Sequence, residues 1–258
     1  MSAPALHVVE AGDGPPVVLL HGLTATHRYV VMGSRALERA GHRVVAYDAR
    51  GHGASAPQAS YAYGDLAADL LALLDARGLD RAVLAGASMG AHTALRVALD
   101  APERVAGLVL VTPAAHPDSP PGLPRWDRLA HGLRTGGVDG FVAAYGLEDV
   151  PERWRDTTER VLRQRLGVHE HPDAVADALE QVPRSTPFAL EELAAIGCPT
   201  VVVADRDDAD PGHPLWVGED YARRIPGATL VVEEEGASPL AWQGGRLSAV
   251  IAELAARS

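Results

Sequence analysis

Six short runs in this chain are apolar almost without interruption, where a half-exposed strand would alternate. They are Pro16–Leu20, Arg43–Tyr47, Ala82–Ala85, Val105–Val111, Thr200–Ala204 and Thr229–Val232. Burial on both faces removes the need for a polar side, and a central parallel sheet covered by helices is where strands meet that condition. Helical patterns lie between the runs. Asp65–Asp75 places Leu66, Leu70, Leu73 and Leu74 on one face and closes at Gly78, and Leu247–Ala256 forms a similar terminal stretch. The expected class is therefore α/β: a mostly parallel central sheet with helices on both faces.

The alternation breaks once. From Pro113 to about Leu193 no strand pattern occurs; five prolines (Pro113, Pro117, Pro120, Pro121 and Pro124) are followed by helical stretches containing Trp126, Phe141, Tyr145 and Trp154. We expect a core of residues 1–112 and 193–258, with 113–192 inserted as a helical cap. An insertion between two strands of a parallel sheet sits at one sheet edge, and ligands bind at the carboxyl edge. The four aromatic residues either line the cap side of a pocket or form the cap's own small core.

Composition narrows the chemistry. All 23 basic residues are Arg against 34 acidic ones, a formal net charge of −11 with no basic block, so nucleic acid and anionic membranes are not expected partners. The absence of Lys removes Schiff-base and pyridoxal chemistry and the Walker phosphate loop. The single Cys198 excludes an internal disulfide, and no apolar stretch reaches bilayer length, so a cytoplasmic protein is expected. No turn after a strand reads G-x-G-x-x-G, which argues against a dinucleotide cofactor. The acidic cluster Asp205, Asp207, Asp208 and Asp210 lacks the spacing, glycine and terminal Glu of a calcium loop. No cofactor or metal is expected, the partner is a small-molecule substrate, and self-association stays open.

The strongest motif is Gly86-Ala-Ser88-Met-Gly90, directly after one apolar run and before the helical pattern Met89–Leu99. A serine on so sharp a turn needs neighbours without bulk two residues to either side, because strand and helix backbones close on each other there. Its hydroxyl then stands at a helix N-terminus, where backbone N–H groups favour negative charge.

With that motif in its strand–turn–helix setting, the chain resembles the α/β-hydrolase fold superfamily, and further motifs extend the resemblance over nearly its whole length. His21-Gly22-Leu23 follows the strand ending at Leu20, where the family places its oxyanion loop, which implies the amides of Leu23 and Met89 as donors. Asp48-Ala-Arg50-Gly51-His52-Gly53-Ala-Ser55 is similar to a turn that is structural in the family, so His52 is read as a bracing residue. The segment after Thr200–Ala204 implies Asp208 as the triad acid, with Asp207 as runner-up. The implied activity is serine-nucleophile hydrolysis of an ester or related carbonyl bond in a small to medium, partly apolar molecule, with Ser88 attacking.

One part of the pattern fails. The family's histidine follows the last strand, and there this chain reads Gly236-Ala237-Ser238-Pro239, with no His after His213. Without a base a serine hydroxyl is a poor nucleophile, and loss of the histidine typically costs about 10⁶ in turnover. Four readings stay open: a chain inactivated by a change to Ala237; a substitute base, His213 or His116, both at carboxyl ends of strands; a non-hydrolytic lyase, isomerase or oxygenase reaction; and a silent small-molecule-binding protein. His92, one turn after the elbow, is expected to pack its helix, and His21 to brace the oxyanion loop.

Overall fold

The structure is a computed structural model that describes residues 5–206 and 212–258. Its centre is a seven-stranded sheet: β1 (Val8–Ala11), β2 (Pro16–Leu20), β3 (Arg43–Tyr47), β4 (Ala82–Ala87), β5 (Val105–Val111), β6 (Thr200–Ala204) and β7 (Thr229–Val232), in the spatial order β1-β3-β2-β4-β5-β6-β7. Every pairing is parallel except that of the edge strand β1 with β3. The six apolar runs are the six parallel strands. β1 escapes the pattern because Glu10 interrupts its apolar run and Val9 and Glu10 are exposed, whereas β7, the other edge strand, keeps an unbroken apolar stretch after Thr229.

Alternate residues of each strand feed two layers. Val18, Leu20, Val45, Leu84, Leu108 and Val202 pack under α2 (Tyr63–Ala76), α3 (Met89–Asp100) and α7 (Leu215–Arg224). Val17, Leu19, Val44, Val83, Val109 and Val201 face the short α1 (Ala36–Arg39) and α8 (Gly244–Ala255). The central strands are thus buried on both sides, which is why their sequence does not alternate.

Between β5 and β6 the chain makes α4 (Leu123–Tyr145), α5 (Glu152–Leu166) and α6 (Pro172–Gln181). These share a separate apolar cluster of Leu129, Leu133, Phe141, Leu162, Leu166, Val175 and Leu179, against which Trp126 and Tyr145 pack. α4 turns back at Gly137, whose φ of 57° lies in the left-handed region. Its two limbs meet where Gly132 and Gly140 lie so close that a Cβ on either would strike the other's carbonyl oxygen. Leu23, in the loop after β2, packs against both this cluster and the sheet core. No helix among the described residues is long and apolar enough to cross a membrane.

Candidate active site

β4 delivers Ser88 to the carboxyl edge of the sheet with φ 49° and ψ −110°, a backbone state that costs a non-glycine residue about 1–3 kcal/mol. The turn is held by Ser88 N–H donating to Val111 O at 2.9 Å and by His92 N–H donating to Ser88 O at 3.1 Å. Steric closure explains the flanking glycines. A Cβ on Gly86 would lie 2.3 Å from the Gly90 carbonyl, and one on Gly90 would lie 2.2 Å from Leu20 O. The strain leaves the Ser88 side chain half-buried at the start of α3.

The loop after β2 runs beside it. A Cβ on Gly22 would sit 3.3 Å from Ala87 O and 3.5 Å from Ser88 Cβ, so the loop backbone passes directly beside the serine. Met89 is the first residue of α3, and its N–H is among those a helix leaves without an intrahelical acceptor. His21 fixes the other side of this loop. Its Nε2 accepts the Ala49 N–H at 2.8 Å, so the proton is on Nδ1, which donates to Gly22 O at 2.8 Å. A peptide unit is planar and trans, so holding the Gly22 carbonyl also sets the opposite direction of the Leu23 N–H.

Of the two histidines left open by the sequence, the structure brings His213 to the serine: Nε2 lies 2.9 Å from Ser88 Oγ, within proton-transfer reach. His213 lies in the loop between β6 and α7. His116 is occupied elsewhere. Its Nδ1 accepts the Asp118 N–H at 3.0 Å, its Nε2 lies 3.3 Å from Asp220 Oδ2, and its ring meets Trp216 edge-on at 4.7 Å. Asp207 and Asp208 lie outside the described residues. Ala237 occupies an exposed turn closed by its own N–H to Glu234 O at 3.0 Å. That turn is anchored by the buried Glu233, whose carboxylate accepts the N–H groups of Arg206 at 2.5 Å and Leu240 at 3.4 Å. Glu233 is therefore a brace between the loops after β6 and β7.

Residues 15–147 match the family described as alpha/beta hydrolase fold. The chain belongs to that family. It is 36% identical over 241 residues to 2-hydroxy-6-oxononadienedioate/2-hydroxy-6-oxononatrienedioate hydrolase 2 of Pseudomonas putida, covering 88% of this chain and 82% of that one. It is 35% identical over 201 residues to a Variovorax paradoxus (strain S110) protein named "Putative carbamate hydrolase RutD", covering 76% and 75%. Among solved structures, a thermophilic esterase from Thermogutta terrifontis, with malate bound, superimposes with a TM-score of 0.81 at 29% identity over 98% of this chain and 93% of that one.

In this α/β hydrolase, buried histidines brace the elbow helix and the loop after β2. His92 Nε2 accepts two N–H groups, from Ala114 and Ala115, both at 3.1 Å, so Nδ1 carries the proton and donates to Tyr63 Oη at 3.0 Å. Burial, reinforced by the nearby charge of a protonated His213, pushes the His92 pKa down to about 3. Burial likewise brings His21 to about 4 and His52 well below its ordinary value. One further group has ligand-like spacing among the described residues: His7, His27 and Asp48, with ligand atoms within 4.8 Å of one another. Its carboxylate is already spent. Asp48 Oδ1 accepts the His27 N–H at 2.8 Å and Nδ1–H at 2.9 Å, and Oδ2 accepts the Ala54 N–H at 3.3 Å. The cluster therefore braces the 48–55 turn. Burial raises the Asp48 carboxyl, but the His27 bonds outweigh it and hold the group at about 2.

Proposed function

We propose that this α/β hydrolase cleaves an ester or related carbonyl bond in a small to medium, partly apolar molecule through Ser88, with His213 as the base that the position of Ala237 does not supply. The observation that carries this reading is the 2.9 Å separation of His213 Nε2 and Ser88 Oγ. In the first step Ser88 Oγ attacks the carbonyl carbon while its proton passes to His213 Nε2. The tetrahedral oxyanion is held by the N–H groups of Leu23 and Met89. As the carbonyl–oxygen bond breaks, the imidazolium gives its proton to the leaving alkoxide. Water, deprotonated by His213, then hydrolyses the acyl-serine and restores both groups. Asp208, five residues before His213, is carried into the proposal as the carboxylate that orients the imidazole, and residues 113–192 as the cap over the site. The cap reading is supported by Leu23 packing against the insert's cluster and by Trp154 of α5 meeting Trp242 edge-on at 5.8 Å. Hydrolases of carbonyl compounds among the relatives support the substrate class.

The test is turnover of short-chain p-nitrophenyl esters. Ser88→Ala and His213→Ala are each expected to lower kcat by about 10⁴–10⁶, and the double variant by no more than the worse single one, since the pair acts as a unit. A His213→Ala protein that keeps its turnover within tenfold refutes the assignment of the base.

A further inference from the structure

We propose that His169, in the linker between α5 and α6, is a positioning residue that holds the oxyanion loop from the side of the helical insert. The inference rests on the serine reading above, because it is the Leu23 amide that would gain. Its geometry leaves one tautomer. Nδ1 lies 2.8 Å from the Gly53 N–H, which can only donate, so Nδ1 is unprotonated. Nε2 must then carry the proton, and it faces Thr24 O at 3.0 Å, which can only accept. One imidazole thus joins three segments far apart in sequence: the insert, the 48–55 turn and the loop after β2.

The contact is built rather than incidental. Glu170 N–H donates to Gly53 O at 2.9 Å, so the linker and the turn exchange two bonds, and Arg165 Nη2 donates to Thr24 Oγ1 at 3.2 Å. Thr24 itself has φ 70°, an unfavourable state for a β-branched residue, which persists only where the surroundings impose it. The Gly22–Ala25 turn is closed by Ala25 N–H to Gly22 O at 3.0 Å. The Gly22–Thr24 segment is therefore gripped by a histidine at each end, with Leu23 at its middle: Gly22 O by His21 and Thr24 O by His169. Release of the second grip lets Thr24 relax toward negative φ, which swings the Leu23–Thr24 peptide and pulls Leu23, with its N–H, out of the place set for an oxyanion, although His21 still holds the Gly22 carbonyl. Such a loss affects the transition state and leaves ground-state binding nearly unchanged.

The experiment compares wild type, His169→Ala, His169→Asn and His169→Gln as full-length proteins on p-nitrophenyl butyrate, with Ser88→Ala alongside and hydrogen exchange of the Gly53 amide as a second readout. In His169→Ala, kcat is expected to fall about 10- to 100-fold, KM to stay within about threefold, and Gly53 to lose protection. Asn keeps the acceptor for Gly53 but does not reach Thr24, so it should hold the fold and Gly53 protection yet lose kcat; Gln carries both functions and should recover most of it. If Ser88→Ala abolishes turnover while all three His169 variants keep wild-type kcat, this inference is overturned and the serine reading stands. Turnover that survives Ser88→Ala overturns both, and a fall confined to KM overturns the positioning role alone.

Discussion

At Ser88 the proposed nucleophile, base and two oxyanion donors come together from four sequence positions, and three of those positions were legible as motifs. Ser88 and Met89 belong to the elbow and Leu23 to the loop after β2, both fixed by local sterics that short sequence patterns record. The proposed base was not legible, because His213 and His116 both follow strands at the correct edge and only the loop paths separate them. Position 237 gives the sharpest residue-scale expectation. A histidine there would start from an exposed turn, so Ala237→His should not rescue His213→Ala in an ester assay, and recovery above about tenfold would contradict that geometry. Gly90→Ala should cost about 3 kcal/mol or more in urea unfolding, because the new methyl group would meet the Leu20 carbonyl at 2.2 Å, a backbone atom that has little room to move.

At the level of elements, the turn between β3 and α2 depends on one buried ion pair. Arg50 Nε and Nη2 donate to the two Asp69 oxygens at 2.6 and 2.7 Å, and the guanidinium also reaches Ser60 O and Asp65 O. Both side chains are less than a tenth exposed. Replacement of Arg50 by Ala would strand the Asp69 charge inside α2, so a loss of about 3–5 kcal/mol is expected in chemical denaturation, whereas replacement of both residues by apolar ones should cost much less. The sequence identified this turn as structural from its resemblance, but Asp69 lies within the leucine-rich helix and gave no sign of its partner. Of the strands, the six with unbroken apolar runs were readable, the partly exposed edge strand β7 among them, and the four-residue β1 was not. Within the insert, helix was readable, but the reversal at Gly137 was not, since it depends on the approach of Gly132 to Gly140.

Across the whole molecule, the buried histidines set how stability responds to acid. His21, His52, His92 and His169 are all pushed below the ordinary histidine value by burial, while in the unfolded chain each titrates near 6.5. Below that pH the unfolded state binds more protons than the native one, so stability falls as pH drops, by roughly 1.4 kcal/mol per pH unit for each group until its folded pKa is reached. His21 and His92 sustain that loss to about pH 4 and about pH 3, and Asp48 adds its own share only below about pH 4. Urea midpoints should therefore decline steadily from pH 6.5 to pH 4.5 with little change in m-value; midpoints that hold constant over that range would contradict neutral burial of these rings. The perpendicular indoles of Trp154 and Trp242, one on the insert and one on the loop after β7, have an optical consequence. Emission of such a pair depends on the environment each indole gives the other, so the protein carries an intrinsic fluorophore at the contact between the insert and the loop after β7, and a spectral shift would register their parting without any attached label.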